Sequence, residues 1–336
     1  MKYASIRRLL PLVALTVVSL APLPVSAAIY DQLVVFGDSL SDSGNNTLVI
    51  GSNPGQIITG NTYVPSQTYG SGVYSNGPVW ATDAAAKLGV PLAPSLAGGT
   101  NYAYGGATTG QDGSNGGFPP SLLTQANQYL AANTVSANAL YVIAGGGNDA
   151  RAALNTIAAC AGVCLGPTVA QTAAQYAANV GSIVDALQAG GAQHIIVWNT
   201  PNLGLAPAVT AAGATDLGTF LAASMNAALA AELAGETGVK TFDIFGLGTA
   251  IALNPGAFGL TNVTDACGAL PAANCSTYAY WDGIHPTAAA HEIIADAFVV
   301  AAIPETSTWI MMVVGFACFG FVAYRRRQQS TALNAA

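Results

Sequence analysis

Four short stretches of this 336-residue chain carry groups suited to acyl-transfer chemistry. The segment FGDSLSDSGNN, residues 36–46, holds three serines directly behind an apolar run. A serine hydroxyl is weakly nucleophilic alone and needs a base beside it. The segment YWDGIHPTAAAH, residues 280–291, offers one: His285 precedes Pro286 and Thr287, which can start a helix, and Asp282 lies three residues earlier. At that spacing a carboxylate can accept from one imidazole nitrogen, fixing the tautomer and leaving the other nitrogen to take a proton from a hydroxyl. Of the other two histidines, His194 opens the apolar run HIIVW and reads as structural. His291 falls inside the last helix, on its surface or packed against the sheet.

Position favours Ser39 among the three serines. Gly37 and Asp38 follow the apolar run directly, so Ser39 stands at a strand's carboxyl end on a tight turn. Ser41 and Ser43 suit backbone bonding or helix capping, and Asp38 and Asp42 suit bonding to local amides. Acyl transfer also needs donors aimed at the developing oxyanion. NYAYGGATTG, residues 101–110, offers Gly105 and Gly106, where backbone N–H groups can meet a ligand without a side chain in the way. VIAGGGNDA, residues 142–150, puts Asn148 on a glycine-rich turn with its amide free to donate.

The elements that must position these groups alternate along the chain. Strands are expected at 32–36, 101–103, 140–144, 194–198 and 240–244, and helices at 79–88, 121–131, 169–188, 216–236 and 287–301. Strand then helix, repeated, predicts a mostly parallel five-stranded sheet covered on both faces. In such a sheet ligands sit outside the carboxyl ends of the strands. The long polar loops at 51–76 and 111–120 are therefore candidate cleft walls. Tyr63, Tyr69, Tyr74, Trp80 and Trp281 either line an acyl or sugar subsite or belong to the core. No repeat or linker divides the body, read as one domain over 28–303.

Both ends read as processing segments. Residues 1–27 have the form of a secretory signal: Lys2, Arg7 and Arg8, a short apolar run, then Val25, Ser26 and Ala27 before the cut. Residues 304–336 include sixteen apolar residues, 309–324, followed by Arg325, Arg326 and Arg327, a candidate membrane helix with its arginines on the cytoplasmic side. The body between keeps only Lys87, Arg151 and Lys240 against fifteen carboxylates, a net charge of −12. So acidic a body excludes nucleic acid as a partner and favours neutral substrates. Cys160 with Cys164 and Cys267 with Cys275 are close pairs in loop-like stretches and read as two local disulfides of an exported chain. Neither pair has the histidine or cysteine spacing of a zinc site.

With these blocks in chain order, the sequence resembles the GDSL, or SGNH, hydrolases over nearly the whole body. FGDSLSDSGN matches the family's first block, NYAYGGA its glycine block, Gly146 to Asp149 its Gly-x-Asn-Asp block, and Asp282 to His285 its last. YSNGPVWATDAAAKLG and IIVWNTPNLGLAP resemble its first-helix and fourth-strand regions. The resemblance implies a flavodoxin-like three-layer α/β/α sandwich, with Ser39 as nucleophile, His285 as base and acid, and Asp282 as orienter. It further implies an oxyanion hole of the Ser39 amide, the Gly106 amide and the Asn148 side chain, with Gly105 the alternative to Gly106. The tail resembles the PEP-CTERM sorting signal of Gram-negative bacteria, which implies cleavage near Pro304 by an exosortase-like enzyme after signal peptidase has acted at the other end. A plain C-terminal anchor is the alternative. The expectation is an exported, cofactor-free esterase or lipase acting on a neutral ester, lipid or acylated glycan, at the cell envelope. A non-catalytic surface or matrix protein binding polysaccharide on the same fold is the alternative.

Overall fold

The computed structural model describes residues 29–303 apart from 65, 66, 272 and 273, with a few helical residues between 312 and 322. The expected signal segment and most of the expected tail helix lie outside the described residues. Among those described, no helix is long and apolar enough to cross a membrane.

Four short runs rich in β-branched and aromatic residues form one sheet, every pairing in it parallel: β1 (Leu33–Gly37), β2 (Leu140–Ala144), β3 (His194–Trp198) and β4 (Val239–Phe242). Among the described residues the seven longer helices pack around it: α1 (Trp80–Leu88), α2 (Leu122–Ala132), α3 (Gly147–Ala159), α4 (Leu165–Ala189), α5 (Thr215–Glu232), α6 (Ile244–Leu253) and α7 (Ala288–Ala302). β1 and β2 are buried throughout, as parallel strands covered on both faces must be. β4 closes the far edge and exposes Lys240 and Thr241, which blunt it against further pairing.

Alternation along the strands divides the core in two. Val34, Phe36, Tyr141, Ile143, Ile195 and Val197 face the layer containing α2, α3, α4 and α5. Leu33, Val35, Leu140, Val142, Ile196 and Trp198 face the layer of α1 and α7. In that second core Trp80 stacks 4.4 Å from Trp198 and 4.7 Å from Phe298, ring centre to ring centre. The arrangement is the expected three-layer α/β/α sandwich.

The expected fifth strand at 101–103 is not a full member of the ladder. Tyr102 N–H donates to Val35 C=O at 2.7 Å and Tyr104 N–H to Gly37 C=O at 3.1 Å, so the segment follows the free edge of β1. Only Asn101 forms a bridge with β1, at Val35. Its side chain donates instead to Ser41 C=O at 2.7 Å and Ser43 Oγ at 2.9 Å, fastening the serine loop rather than extending the sheet. Lateral order is therefore this edge segment, then β1, β2, β3 and β4. Successive neighbours of β1 lie on opposite sides of it, which puts the topological switch point of a flavodoxin-like sheet at its carboxyl end.

Two of these seven helices were not foreseen. The strand expected over 240–244 stops at Phe242, because the Asp243 side chain accepts from Gly246 N–H at 2.8 Å and turns the chain into α6. α3 begins in the run GGGND, where glycine obscures the helical start. Both expected disulfides, Cys160–Cys164 and Cys267–Cys275, are formed.

The end of β1 depends on one buried side chain. Gln125 of α2 accepts from Gly37 N–H at 2.8 Å and donates to Gly37 C=O at 2.9 Å and Pro120 C=O at 3.0 Å. Gln125→Leu leaves the Gly37 N–H buried without an acceptor, a loss of about 1–3 kcal/mol. Urea unfolding should show a lowered midpoint with an unchanged slope.

Candidate active site

Gly37 closes β1 where no side chain fits: a Cβ there would lie 2.9 Å from Ala144 C=O and from Ser41. The Asp38 carbonyl then accepts from the N–H groups of Ser41 and Asp42, both at 3.0 Å, a tight turn that carries Ser39 past the sheet edge. The remaining serines are held elsewhere. Ser41 Oγ accepts from Trp80 Nε1–H at 3.0 Å, and Ser43 Oγ accepts from Asn101. Asp42 gathers the N–H groups of Gly44, Asn45, Asn46 and Gly105 at 2.7–3.2 Å.

His285 arrives at Ser39 from the other end of the chain. Its Nε2 lies 2.8 Å from Ser39 Oγ, and its Nδ1 lies 2.6 Å from Asp282 Oδ2. Asp282 Oδ1 accepts from the N–H groups of Ile284 at 2.8 Å and His285 at 2.7 Å. Its Oδ2 also accepts from Tyr69 O–H at 2.6 Å. Ser39 is 7 % exposed, His285 1 % and Asp282 0 %, so protein donors must replace water around the carboxylate. Burial works to raise the Asp282 carboxyl, but the His285 ring and these donors together hold it below the usual carboxylate range.

The other two histidines stand apart from this line. His194 packs its ring 5.4 Å from Tyr30 at a strand start. His291 is fully buried, and burial drives its pKa down to about 3. Its Nδ1 accepts from Trp80 N–H at 3.2 Å, which serves a donor left open at the start of α1.

The glycine block and the Gly-x-Asn-Asp block also converge here. Gly105 N–H is bound to Asp42 Oδ2 at 3.0 Å, and a Cβ on Gly105 would strike Tyr74 at 2.1 Å. Gly106 takes φ +85°, a left-handed conformation that suits glycine. Among the described residues, the N–H groups of Ser39 and Gly106 have no acceptor within the chain. Asn148 lies in the first turn of α3, beyond Gly146 at φ +106°. Its Nδ2 donates one hydrogen to Ala107 C=O at 2.9 Å. Arg151, one turn on, donates to Asn148 Oδ1 at 3.1 Å and lies 4.0 Å over the Tyr63 ring. Asp149 accepts from Thr109 N–H and O–H, joining α3 to the glycine block.

A family model described as GDSL-like lipase/acylhydrolase matches residues 33–298. The chain belongs to this family. Relatives include Lipase 1 of Photorhabdus luminescens, 33 % identical over 186 residues, covering 55 % of this chain and 24 % of that protein. A protein from the trpE-trpG intergenic region of Pseudomonas putida is 33 % identical over 217 residues, covering 59 % of this chain and 33 % of its own length. A GDSL esterase/lipase of Arabidopsis thaliana is 27 % identical over 309 residues, covering 78 % and 86 %. The match thus spans a quarter to a third of the two bacterial relatives.

In this GDSL-family chain a cleft of about 990 Å³, open mouth included, runs from Ser39 and His285 along walls of Leu40, Leu203, Ile244, Ile251, Ile284 and Ile294. The aromatics offered as subsite walls or core do not line this aliphatic cleft, though two of them border the histidine. Trp80 is core, Tyr69 bonds Asp282 with Trp281 at its edge, and the Tyr63 and Tyr74 rings lie 5.5 and 5.2 Å from the His285 ring. Tyr69 and Arg151 are the contacts that spacing along the chain did not foresee. Among the described residues no group of histidine, cysteine and carboxylate side chains is arranged to hold a metal ion.

Asp38, next to Ser39, is buried and lines the cleft; among the described residues one hydrogen bond, from Leu40 N–H at 3.0 Å, reaches its carboxylate. Burial pushes its pKa up to about 6, against the opposing pull of that N–H and of His285. The folded protein thus binds this proton more tightly than the unfolded chain does. Its contribution to stability falls as pH rises from about 4 to about 6 and stays low above. Asp38→Asn should therefore stabilise the fold by up to about 3 kcal/mol at pH 8 and by little at pH 4, read from thermal midpoints across pH.

Proposed function

We propose that this protein is an exported serine esterase that cleaves carboxylic esters through an acyl-enzyme. The observation that carries the reading is the buried line of Ser39 Oγ, His285 Nε2, His285 Nδ1 and Asp282 Oδ2, with contacts of 2.8 and 2.6 Å. Ser39 attacks the ester carbonyl while His285 takes the hydroxyl proton and Asp282 balances the imidazolium that forms. His285 then gives the proton to the departing alcohol. Water, activated by the same ring, releases the acid and restores the serine.

The oxyanion formed at each attack is held by the Ser39 N–H, the Gly106 N–H and the second hydrogen of Asn148 Nδ2. In a site sheltered from water each such donor is worth roughly 3–4 kcal/mol of barrier. The aliphatic cleft beside Ser39 takes the acyl chain, and its apolar walls favour a hydrocarbon over an acetyl group. Membership in a lipase/acylhydrolase family and relatives named lipase and esterase support the same chemistry. Export rests on the signal-like residues 1–27 and on the two disulfides, and the tail then retains the enzyme at the envelope until it is cut.

A p-nitrophenyl ester series tests both parts. Ser39→Ala and His285→Ala should each lower turnover by about a thousandfold or more while leaving the circular dichroism unchanged. Butyrate and octanoate esters should be cleaved faster than acetate. A serine variant within twofold of wild type overturns the mechanism, and a preference for acetylated sugars overturns the acyl assignment.

A further inference from the structure

Arg151 is one of three cations in the body of the protein, and the other two are bound away from the cleft. Lys87 pairs with Asp296 at 2.8 Å and Glu292 at 3.8 Å, and Lys240 donates to Ala301 C=O at 3.3 Å. Among the described residues Arg151 forms no ion pair, although the body carries fifteen carboxylates. It lines the cleft beside Ser39, His285 and Asn148 instead. A cation near a helix N-terminus sits at the unfavourable end of the helix dipole, so α3 gains nothing from it there. Its contacts show what it does hold.

A primary amide can turn over, exchanging its oxygen and nitrogen, and only its partners decide which way it faces. Asn148 has a partner at each end. Ala107 C=O can only accept, so it selects Nδ2, at 2.9 Å; a guanidinium can only donate, so it selects Oδ1, at 3.1 Å. Residues three apart on a helix share a face, which brings the arginine onto the asparagine. The guanidinium is fixed in turn by the Tyr63 ring at 4.0 Å, and that ring lies 5.5 Å from the His285 ring. With both ends pinned, the remaining hydrogen of Nδ2 is left for a ligand. A cation on Oδ1 also draws charge from the amide and makes that hydrogen a stronger donor.

We propose that Arg151 is a positioning residue for the oxyanion donor: it fixes the Asn148 amide with its nitrogen toward the reacting carbonyl and strengthens that hydrogen bond as negative charge develops. The proposal rests on the serine-esterase reading above. Because the oxyanion exists only along the reaction path, the effect falls on kcat and leaves KM alone. Because Arg151 acts through Asn148, its removal costs nothing further once the amide is gone.

The test is a double-mutant cycle on the purified full chain with p-nitrophenyl butyrate, reading kcat, KM and the thermal midpoint. Arg151→Met should lower kcat by about tenfold at unchanged KM. Asn148→Ala should lower it further, and the double variant should equal Asn148→Ala alone. Arg151→Lys keeps a charge but loses the planar fork and should fall between wild type and Arg151→Met. If Arg151→Met does not fold, Arg151→Lys is run through the same cycle. Losses that multiply in the double variant, a loss confined to KM, or no loss overturn the proposal. Ser39→Ala is measured alongside. If that variant still turns over, the catalytic reading itself has failed, whereas a silent serine variant with an unaffected arginine variant removes only the role given to Arg151.

Discussion

The site depends on keeping one carboxylate charged where no water reaches it. Removing a carboxylate from water costs several kcal/mol even after the protein relaxes around it. Asp282 is fully buried and meets that cost with four donors: two backbone N–H groups on Oδ1, and Tyr69 with the His285 ring on Oδ2. Two come from the chain's own turn. The DGIH segment curls back so that residues two and three beyond the aspartate point their N–H groups at it, and Thr62 C=O accepts from Gly283 N–H at 2.9 Å. A Cβ on Gly283 would lie 2.6 Å from the Thr62 backbone, so the first long loop can close on this turn only over a glycine. The same loop delivers Tyr69.

That dependence explains why the long loop after β1 is ordered against the last loop of the chain. Asn61 bonds Thr264 C=O at 3.1 Å and Ala266 N–H at 2.9 Å, Gly283 N–H bonds Thr62, and Tyr69 reaches Asp282. Here the loop completes the electrostatic environment of the histidine as well as walling the cleft. The sheet supplies the other half of the constraint. Parallel registers align the carboxyl ends of β1 and β2 so that Gly37 lies opposite Ala144, and the loops carrying Ser39, Gly106 and Asn148 leave the same edge.

Much of this was legible because the chemistry is written in short contiguous blocks. Ser39 and Asn148 each follow glycine behind an apolar run, and Asp282 and His285 flank Gly283 just before a helix start, so local pattern is enough to find such places. Tyr69 was open to sequence reading only as a subsite wall or a core residue, since its partner Asp282 is 213 residues away and no spacing rule links them. The aliphatic cleft was hidden for the same reason: Leu40, Leu203, Ile251 and Ile284 come from four separate loops and helices. The two misjudged elements differ in cause. Asp243 ended a strand early by accepting from a backbone N–H three residues on and capping a helix. The 101–103 segment meets β1 in a bridge at Asn101 alone, and the side chain of that residue donates to Ser41 C=O, 60 residues away, to hold the serine loop.

The two adjacent glycines show how packing separates residues that sequence leaves equivalent. Gly105 and Gly106 are alike in type and one position apart, so composition cannot rank them as donors. Asp42 claims the Gly105 N–H because that carboxylate, itself buried, gathers four backbone donors to fasten the serine loop to the glycine block. Once Gly105 faces inward, toward Asp42 and Tyr74, the chain reverses at Gly106 through a positive φ, and its N–H is left without an acceptor among the described residues. The two glycines are thus told apart by an aspartate in the same loop as Ser39. The turn that sets Ser39 and the turn that exposes Gly106 share that carboxylate, so neither can shift without moving the other.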